Sequence, residues 1–188
     1  MAKIAIIYDS GYGHTAVVAE EVATGARGIA GVTVDVIKAT DAKDALDTLL
    51  PYDALIFGTP TYMGGVSAAF KAFMDVSGGA WMKQAWKDKF AAGFTNSGSL
   101  SGDKLLTLQH LAVFAAQHSM LWISQGLMPP SSKEHGGKPD DINRAGSYLG
   151  LMTQSDNAAP TETPSAGDKK TAQLFGARVA EVVSRLTK

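Results

Sequence analysis

The sequence predicts a doubly wound α/β fold: three layers, with an open five-stranded parallel sheet in the order 2-1-3-4-5 between helices on both faces. Two observations predict it. Strand-like and helix-like segments alternate five times along the chain, which implies right-handed crossovers between parallel strands. The strand-like segments are also apolar throughout rather than alternating, the pattern of strands covered on both faces.

Residues 3–8, Lys-Ile-Ala-Ile-Ile-Tyr, are β-branched and apolar and open the sheet. Val18, Val22 and Ala26 then share one helical stripe, with Glu20, Glu21 and Arg27 on others, and Gly28 and Gly31 mark the helix exit. Residues 32–37 are the second strand, and 41–50 a short helix stopped by Pro51. Residues 54–57, Ala-Leu-Ile-Phe, form the third strand, ending at Gly58; Val66, Phe70, Phe73 and Met74 give the next helical stripe. Residues 89–94 are the fourth strand, weakened by Gly93. Leu105, Leu108, Ala112 and Ala115 mark a long helix, and 120–124 the fifth strand. Residues 127–167, rich in Gly, Pro, Ser and Asp, read as one long irregular loop, which in a compact domain points to function or to mobility. Ala172, Phe175, Val179, Val182 and Leu186 line a C-terminal helix opening near Asp168. No repeat is visible, and residues 1–188 are expected to form one domain.

Composition removes several classes of function. With 45% hydrophobic and 19% charged residues the chain is globular, and a net charge of -1 offers nothing to nucleic acid. The absence of cysteine excludes disulfides, thiolate nucleophiles, zinc ribbons and iron–sulfur clusters. Four scattered histidines have no metal-ligand spacing, so no metal site is expected. Met1-Ala2-Lys3 runs straight into an apolar strand without a leader's hydrophobic region, and no run is long enough for a membrane span, so a cytoplasmic protein is expected.

Ligands of open parallel sheets bind beyond the carboxyl ends of the strands, which directs attention to three loops. After strand 1 come Ser10, Gly11, Tyr12, Gly13, His14 and Thr15, then a helix. Glycines, hydroxyls and a helix N-terminus suit a phosphate monoester, and the lack of a P-loop lysine argues against a nucleoside triphosphate. The plain alternative is a capped βα turn. After strand 3 come Pro60, Thr61, Tyr62, Met63 and Gly64, where an aromatic or a methionine can lie along a flat ring. After strand 4 come Asn96, Ser97, Gly98, Ser99 and Ser101, small polar residues suited to the edge of a heteroaromatic ring. Each of the last two loops is unremarkable alone; the coincidence of three on one sheet points to a ligand. Ser10, Ser97 and His118 do not make a hydrolase, because the G-x-S-x-G elbow is absent.

At these loops the chain resembles the flavodoxin superfamily, and within it the WrbA family of NAD(P)H:quinone oxidoreductases. The matching stretches are Ser10-x-Tyr12-Gly13-His14, Phe57-Gly58-Thr59-Pro60-Thr61 with Gly64, Phe73-x-Asp75-x-x-Gly78-Gly79-x-Trp81, Ser97-Gly98-Ser99 and Gly136-Gly137-x-Pro139. The resemblance implies a flavodoxin-like fold and FMN, with phosphate in 10–15, the flavin ring against 61–63 and further contacts from 96–101. It implies NAD(P)H as electron donor, a quinone as acceptor, and tetramers whose sites include neighbouring subunits. Tyr12 matches a position near the nicotinamide, and Trp81 one that shapes the acceptor pocket. The family's flavin-side histidine falls at Gln117 or at the adjacent His118; Tyr12, Trp81 and His118 are the candidate catalytic residues. The sequence departs from the family in a shorter link over 38–52, in Tyr62-Met63 for the usual Arg-Phe, and over 143–150. The choice of NADH or NADPH therefore stays open. Residues 76–88 carry Trp81, Met82 and Trp86, and aromatics at that density suggest a boundary of a homodimer or homotetramer. The main alternative is a flavodoxin-type electron carrier, against which the near-neutral charge argues, since such carriers are typically strongly acidic. A regulatory binding module without redox chemistry is the third reading.

Overall fold

Ile4 and Ile6 face one side of the first strand, Ala5 and Ile7 the other, and all four are fully buried in two separate apolar clusters. That two-sided burial organises the protein, whose computed structural model describes residues 1–131 and 136–187. The elements are β1 (Ala2–Tyr8), α1 (His14–Arg27), β2 (Val32–Lys38), α2 (Ala39–Asp44), a 3₁₀ turn (Leu46–Leu49), β3 (Ala54–Tyr62), β4 (Gly65–Val66), α3 (Ala68–Val76) and α4 (Gly78–Met82). They continue as β5 (Phe90–Ser97), α5 (Lys104–Gln117), β6 (Leu121–Trp122), β7 (Leu151–Gln154) and α6 (Ala166–Leu186). The sheet runs β2-β1-β3-β5-β6, with β7 also on β5 and, among the described residues, only β4 antiparallel. This is the expected order, with the outermost position divided between two short strands.

One layer packs α1 and α6 on Ile4, Ile6 and Ile56 through Val18, Val22, Phe175 and Val179. The two helices touch backbone to backbone: a Cβ on Gly176 would lie 2.0 Å from the carbonyl oxygen of Val22, and one on Gly25 1.8 Å from that of Gln173. The other layer is aromatic, with Phe57, Phe70, Phe73, Trp86 and Phe114 packed together, Trp86 stacked on Phe73 at 6.1 Å. Of the aromatics in 76–88, Trp86 is fully buried there, while Trp81 is exposed, as is Met82.

Four expectations are corrected. The third strand does not end at Gly58: it runs to Tyr62 because β5 supplies partners, Gly58 with Phe94, Thr59 with Thr95 and Pro60 with Asn96. It then folds back as β4 through Met63 and Gly64, both at positive φ. The fifth strand is only Leu121–Trp122, paired with Phe90 and Ala91. The chain leaves the sheet and returns as β7 on Phe94–Ser97, so residues 127–167 contain a strand. The excursion is held to α6 by a bidentate pair, with Arg144 Nε and Nη2 each donating at 2.9 Å to Asp168, whose side chain is 2% exposed. Breaking such a buried pair costs about 3–5 kcal/mol, although forming it gains little. Finally, the helix expected over 41–50 breaks at Ala45 into α2 and the 3₁₀ turn. His135 lies outside the described residues. Among those described, no helix is long and apolar enough to cross a membrane.

Candidate functional site

β1 ends at Tyr8, and the chain turns into α1 through Gly13, whose φ of 92° places it in the left-handed region. A Cβ at Gly13 would stand 2.8 Å from Pro160, so glycine permits both the turn and the close approach. The Gly13 N–H donates to Ser10 Oγ at 3.1 Å. The first N–H groups of a helix lack intrahelical partners and carry the positive end of its dipole; no acidic residue occupies the first turn of α1. The result is a cradle for an anion. His14 Nε2 lies 2.8 Å from the Ala158 carbonyl oxygen. A carbonyl only accepts, so Nε2 carries the proton and ties this loop to the segment after β7.

Hydroxyl bonds lock the neighbouring strand ends. Asp9 accepts from Ser67 Oγ at 2.6 Å, and Ser67 caps α3 while its own N–H donates to Thr59 Oγ1 at 3.1 Å. Thr61 Oγ1 lies 2.8 Å from both Thr95 Oγ1 and Thr107 Oγ1. Asn96 Oδ1 accepts from Thr153 at 2.8 Å and Ser155 at 3.1 Å. Thr61 is buried with its hydroxyl engaged in this frame.

A cleft of about 400 Å³ opens on these ends. It brings together Ser10, Tyr12, His14 and Thr15 of the first loop, Pro60 and Tyr62 of the second, and Asn96, Ser97 and Gly98 of the third. Tyr12 and Tyr62 meet edge to face at 6.4 Å across the first two loops. Burial, then the neighbouring Tyr12 and Asp9, hold the Tyr62 phenol above its ordinary value, so it is a neutral hydroxyl near pH 7. Gly11 lies against that hydroxyl, Met63 is a solvent-exposed tip, and Ser99 contributes its carbonyl to Lys104. Gly64 and Ser101 line a second, broader cleft of about 1100 Å³, walled by Leu105, Leu106, Tyr148 and Met152.

The sequence reading misses a fourth wall of the first cleft, formed by Ser155, Asp156, Asn157, Ala158 and Pro160. It follows β7, so recognising Leu151–Gln154 as a strand would have found it by the strand-end rule.

Trp81, Gln117 and His118, also expected at the site, line neither cleft within their own chain. α3 and α5 both start near the carboxyl ends of the strands and run back to the opposite edge. Trp81 on α4 and Gln117 and His118 at the end of α5 therefore sit near the start of β5, where the Asp88 N–H donates to the Ser119 carbonyl at 3.0 Å. Gln117 is exposed. His118 is 3% exposed and packed on Trp86 at 4.3 Å. Ser77 Oγ donates to the Met74 carbonyl and lies 2.9 Å from His118 Nε2, so the imidazole donates to Ser77. Nδ1 has no partner among the described residues. Burial lowers its pKa from 6.5 to about 4.

This has a measurable consequence. The unfolded imidazole takes up a proton below pH 6.5 while the native one resists until about pH 4. Native stability therefore falls with pH across that window, by up to about 3 kcal/mol at its acid end. Urea melts of the protein and of His118→Leu should show a shallower acid limb in the variant; identical limbs would remove His118 from the account.

Residues 2–133 match the NADPH-dependent FMN reductase family. A curated relative from Pseudomonas aeruginosa, flavodoxin FldP, is 38% identical, with 99% of each chain covered. The chain belongs to the NADPH-dependent FMN reductase family. An Archaeoglobus fulgidus protein named NAD(P)H dehydrogenase (quinone) is 32% identical over 99% of this chain and 100% of its own. The crystal structure of a flavodoxin, WrbA-like protein from Agrobacterium tumefaciens superposes with a TM-score of 0.74 at 42% identity, covering 98% of this chain and 99% of that one. The first cleft fits the FMN of this FMN reductase family. Its single anion cradle suits one phosphate monoester, its polar walls from Asn96–Gly98 and Ser155–Ala158 suit a heteroaromatic edge, and its volume lies in the range of small-molecule sites.

Proposed function

We propose that this protein is a cytoplasmic, homodimeric or homotetrameric oxidoreductase that uses FMN to pass electrons from NADH or NADPH to a quinone-like acceptor. The cleft carries this reading: one anion cradle, a polar wall and an aromatic mouth, with no lysine or arginine among its described lining residues. FMN, when bound, supplies a ring that accepts a hydride and gives two electrons onward. Ser10, Thr15 and the α1 N-terminus bind the phosphate. Pro60 and Tyr62 border the ring, and Asn96, Ser97 and Gly98 orient its polar edge. Tyr12 and Tyr62 shield the mouth from water. The second cleft gives apolar room beside Gly64 for an acceptor ring. Trp81 and Met82, exposed on the far edge, belong in this reading to a subunit boundary.

An electron-carrier role is the second reading, favoured by the flavodoxin name of the Pseudomonas aeruginosa relative. One experiment separates them. Apo-protein is titrated with FMN and FAD and sized by light scattering. The FMN-loaded protein is then mixed anaerobically with NADH or NADPH, followed by benzoquinone. The enzyme reading expects tighter FMN than FAD binding, a mass above one chain, flavin bleaching by a nucleotide and recovery with the quinone. Bleaching by a one-electron donor but by neither nucleotide would establish the carrier.

A further inference from the structure

Lys104 is the first residue of α5 and is 0% exposed. Burying an ammonium costs several kcal/mol, and the positive end of the helix dipole adds to that cost. Its Nζ donates to Ser97 Oγ at 3.0 Å and to the Ser99 carbonyl at 2.5 Å. Ser97 lines the first cleft. No carboxylate among the described residues forms an ion pair with Lys104. Asp168 on α6 is the carboxylate that acts on it, but both Asp168 oxygens are engaged, one by Arg144 and the other by Arg144 and the Gln154 N–H. Arg144, from the excursion before β7, opposes Lys104, while Asp156 in the cleft wall bears on Arg144. Asp168 is thus taken up by Arg144 and Asp156 stands in the cleft wall, which leaves the Lys104 ammonium, among the described residues, without an ion pair of its own and hydrogen-bonded to Ser97, a residue of a cleft whose described lining holds no lysine or arginine.

We propose that Lys104 is a positioning residue that braces the Ser97–Ser99 loop and, through Ser97, stabilises the extra negative charge of reduced FMN. The inference rests on the FMN reading above. Taking up a hydride, two electrons and one proton, adds one negative charge to the flavin. A fixed cation nearby strengthens binding of that form over the oxidised one. A serine or asparagine side chain could hold the loop at lower cost, but it would bring no net positive charge to this position.

The test uses the intact protein, Lys104→Met and Lys104→Arg. Dissociation constants are measured anaerobically for oxidised and for dithionite-reduced FMN, with the midpoint potential followed over the alkaline range. Lys104→Met should shift the ratio of the two constants toward the oxidised form by about tenfold or more, and Lys104→Arg should keep the wild-type ratio. A Lys104→Met protein that weakens both forms equally, or neither, overturns the charge role. Should that variant not fold, the wild-type protein suffices. The lone ammonium, lowered by burial to about 8, should make the affinity for reduced FMN, relative to oxidised FMN, decline above that pH, and a ratio that stays flat would overturn the proposal. Failure of the wild-type protein to bind FMN at all would instead remove the underlying reading.

Discussion

Ser10→Asp should raise the FMN dissociation constant about hundredfold while leaving the apo-protein at least as stable as before. Ser10 Oγ already accepts the Gly13 N–H at the head of α1, and an aspartate can keep that bond as a helix-capping acceptor. Its carboxylate then occupies the anion cradle and repels the phosphate. Two unit charges about 4 Å apart interact by about 4 kcal/mol at an effective dielectric of 20. A hundredfold loss needs only about 2.7 kcal/mol, so the prediction survives considerable relaxation. Fluorescence titration gives the affinity and thermal melts the stability. Unchanged affinity would mean that the phosphate does not use this loop, whereas lost affinity with a lower melting temperature would mean a damaged fold.

Gly176→Ala should destabilise the protein by about 3 kcal/mol, although alanine is the better helix former by about 1 kcal/mol. The added Cβ would stand 2.0 Å from the Val22 carbonyl oxygen, which is backbone and cannot swing aside. α1 and α6 must separate, opening the layer built on Val22, Phe175 and Val179. Gly79→Ala is the control: it lies in α4 with nothing within 4 Å of the new Cβ, so propensity alone should act and stability should hold or rise slightly. Urea denaturation decides both, and a Gly176→Ala protein as stable as the parent would refute the close crossing.

The parts of this fold legible in the sequence are those whose burial is written locally. Ile4, Ile6 and Ile7 announce a strand covered on both faces, and Val18 and Val22 a helix stripe, because each pattern needs no partner to be recognised. β7 is different. Leu151–Gln154 has two apolar residues in four and becomes a strand only because Phe94–Ser97 offers a ladder. The same dependence hid the cleft wall at Ser155–Pro160 and extended β3 through Pro60. Trp86 and His118 are close in space only because α4 and α5 end at the same edge, which adjacency in sequence does not reveal. The three loops were legible because the strand-end rule depends on topology alone, and topology follows from alternation.

The two rims of the sheet also bear on how copies of this chain can meet. β2 presents seven residues at one rim, but Arg27 reaches the Val34 carbonyl, and Asp35 and Lys38 interrupt the apolar pattern. At the other rim β6 spans two residues and β7 four, separated by the whole excursion. Neither offers a long, flat template for adding a strand from another molecule. Both devices work against strand addition from another molecule, and they favour contact between native copies through side-chain surfaces over contact through the hydrogen bonds of the sheet.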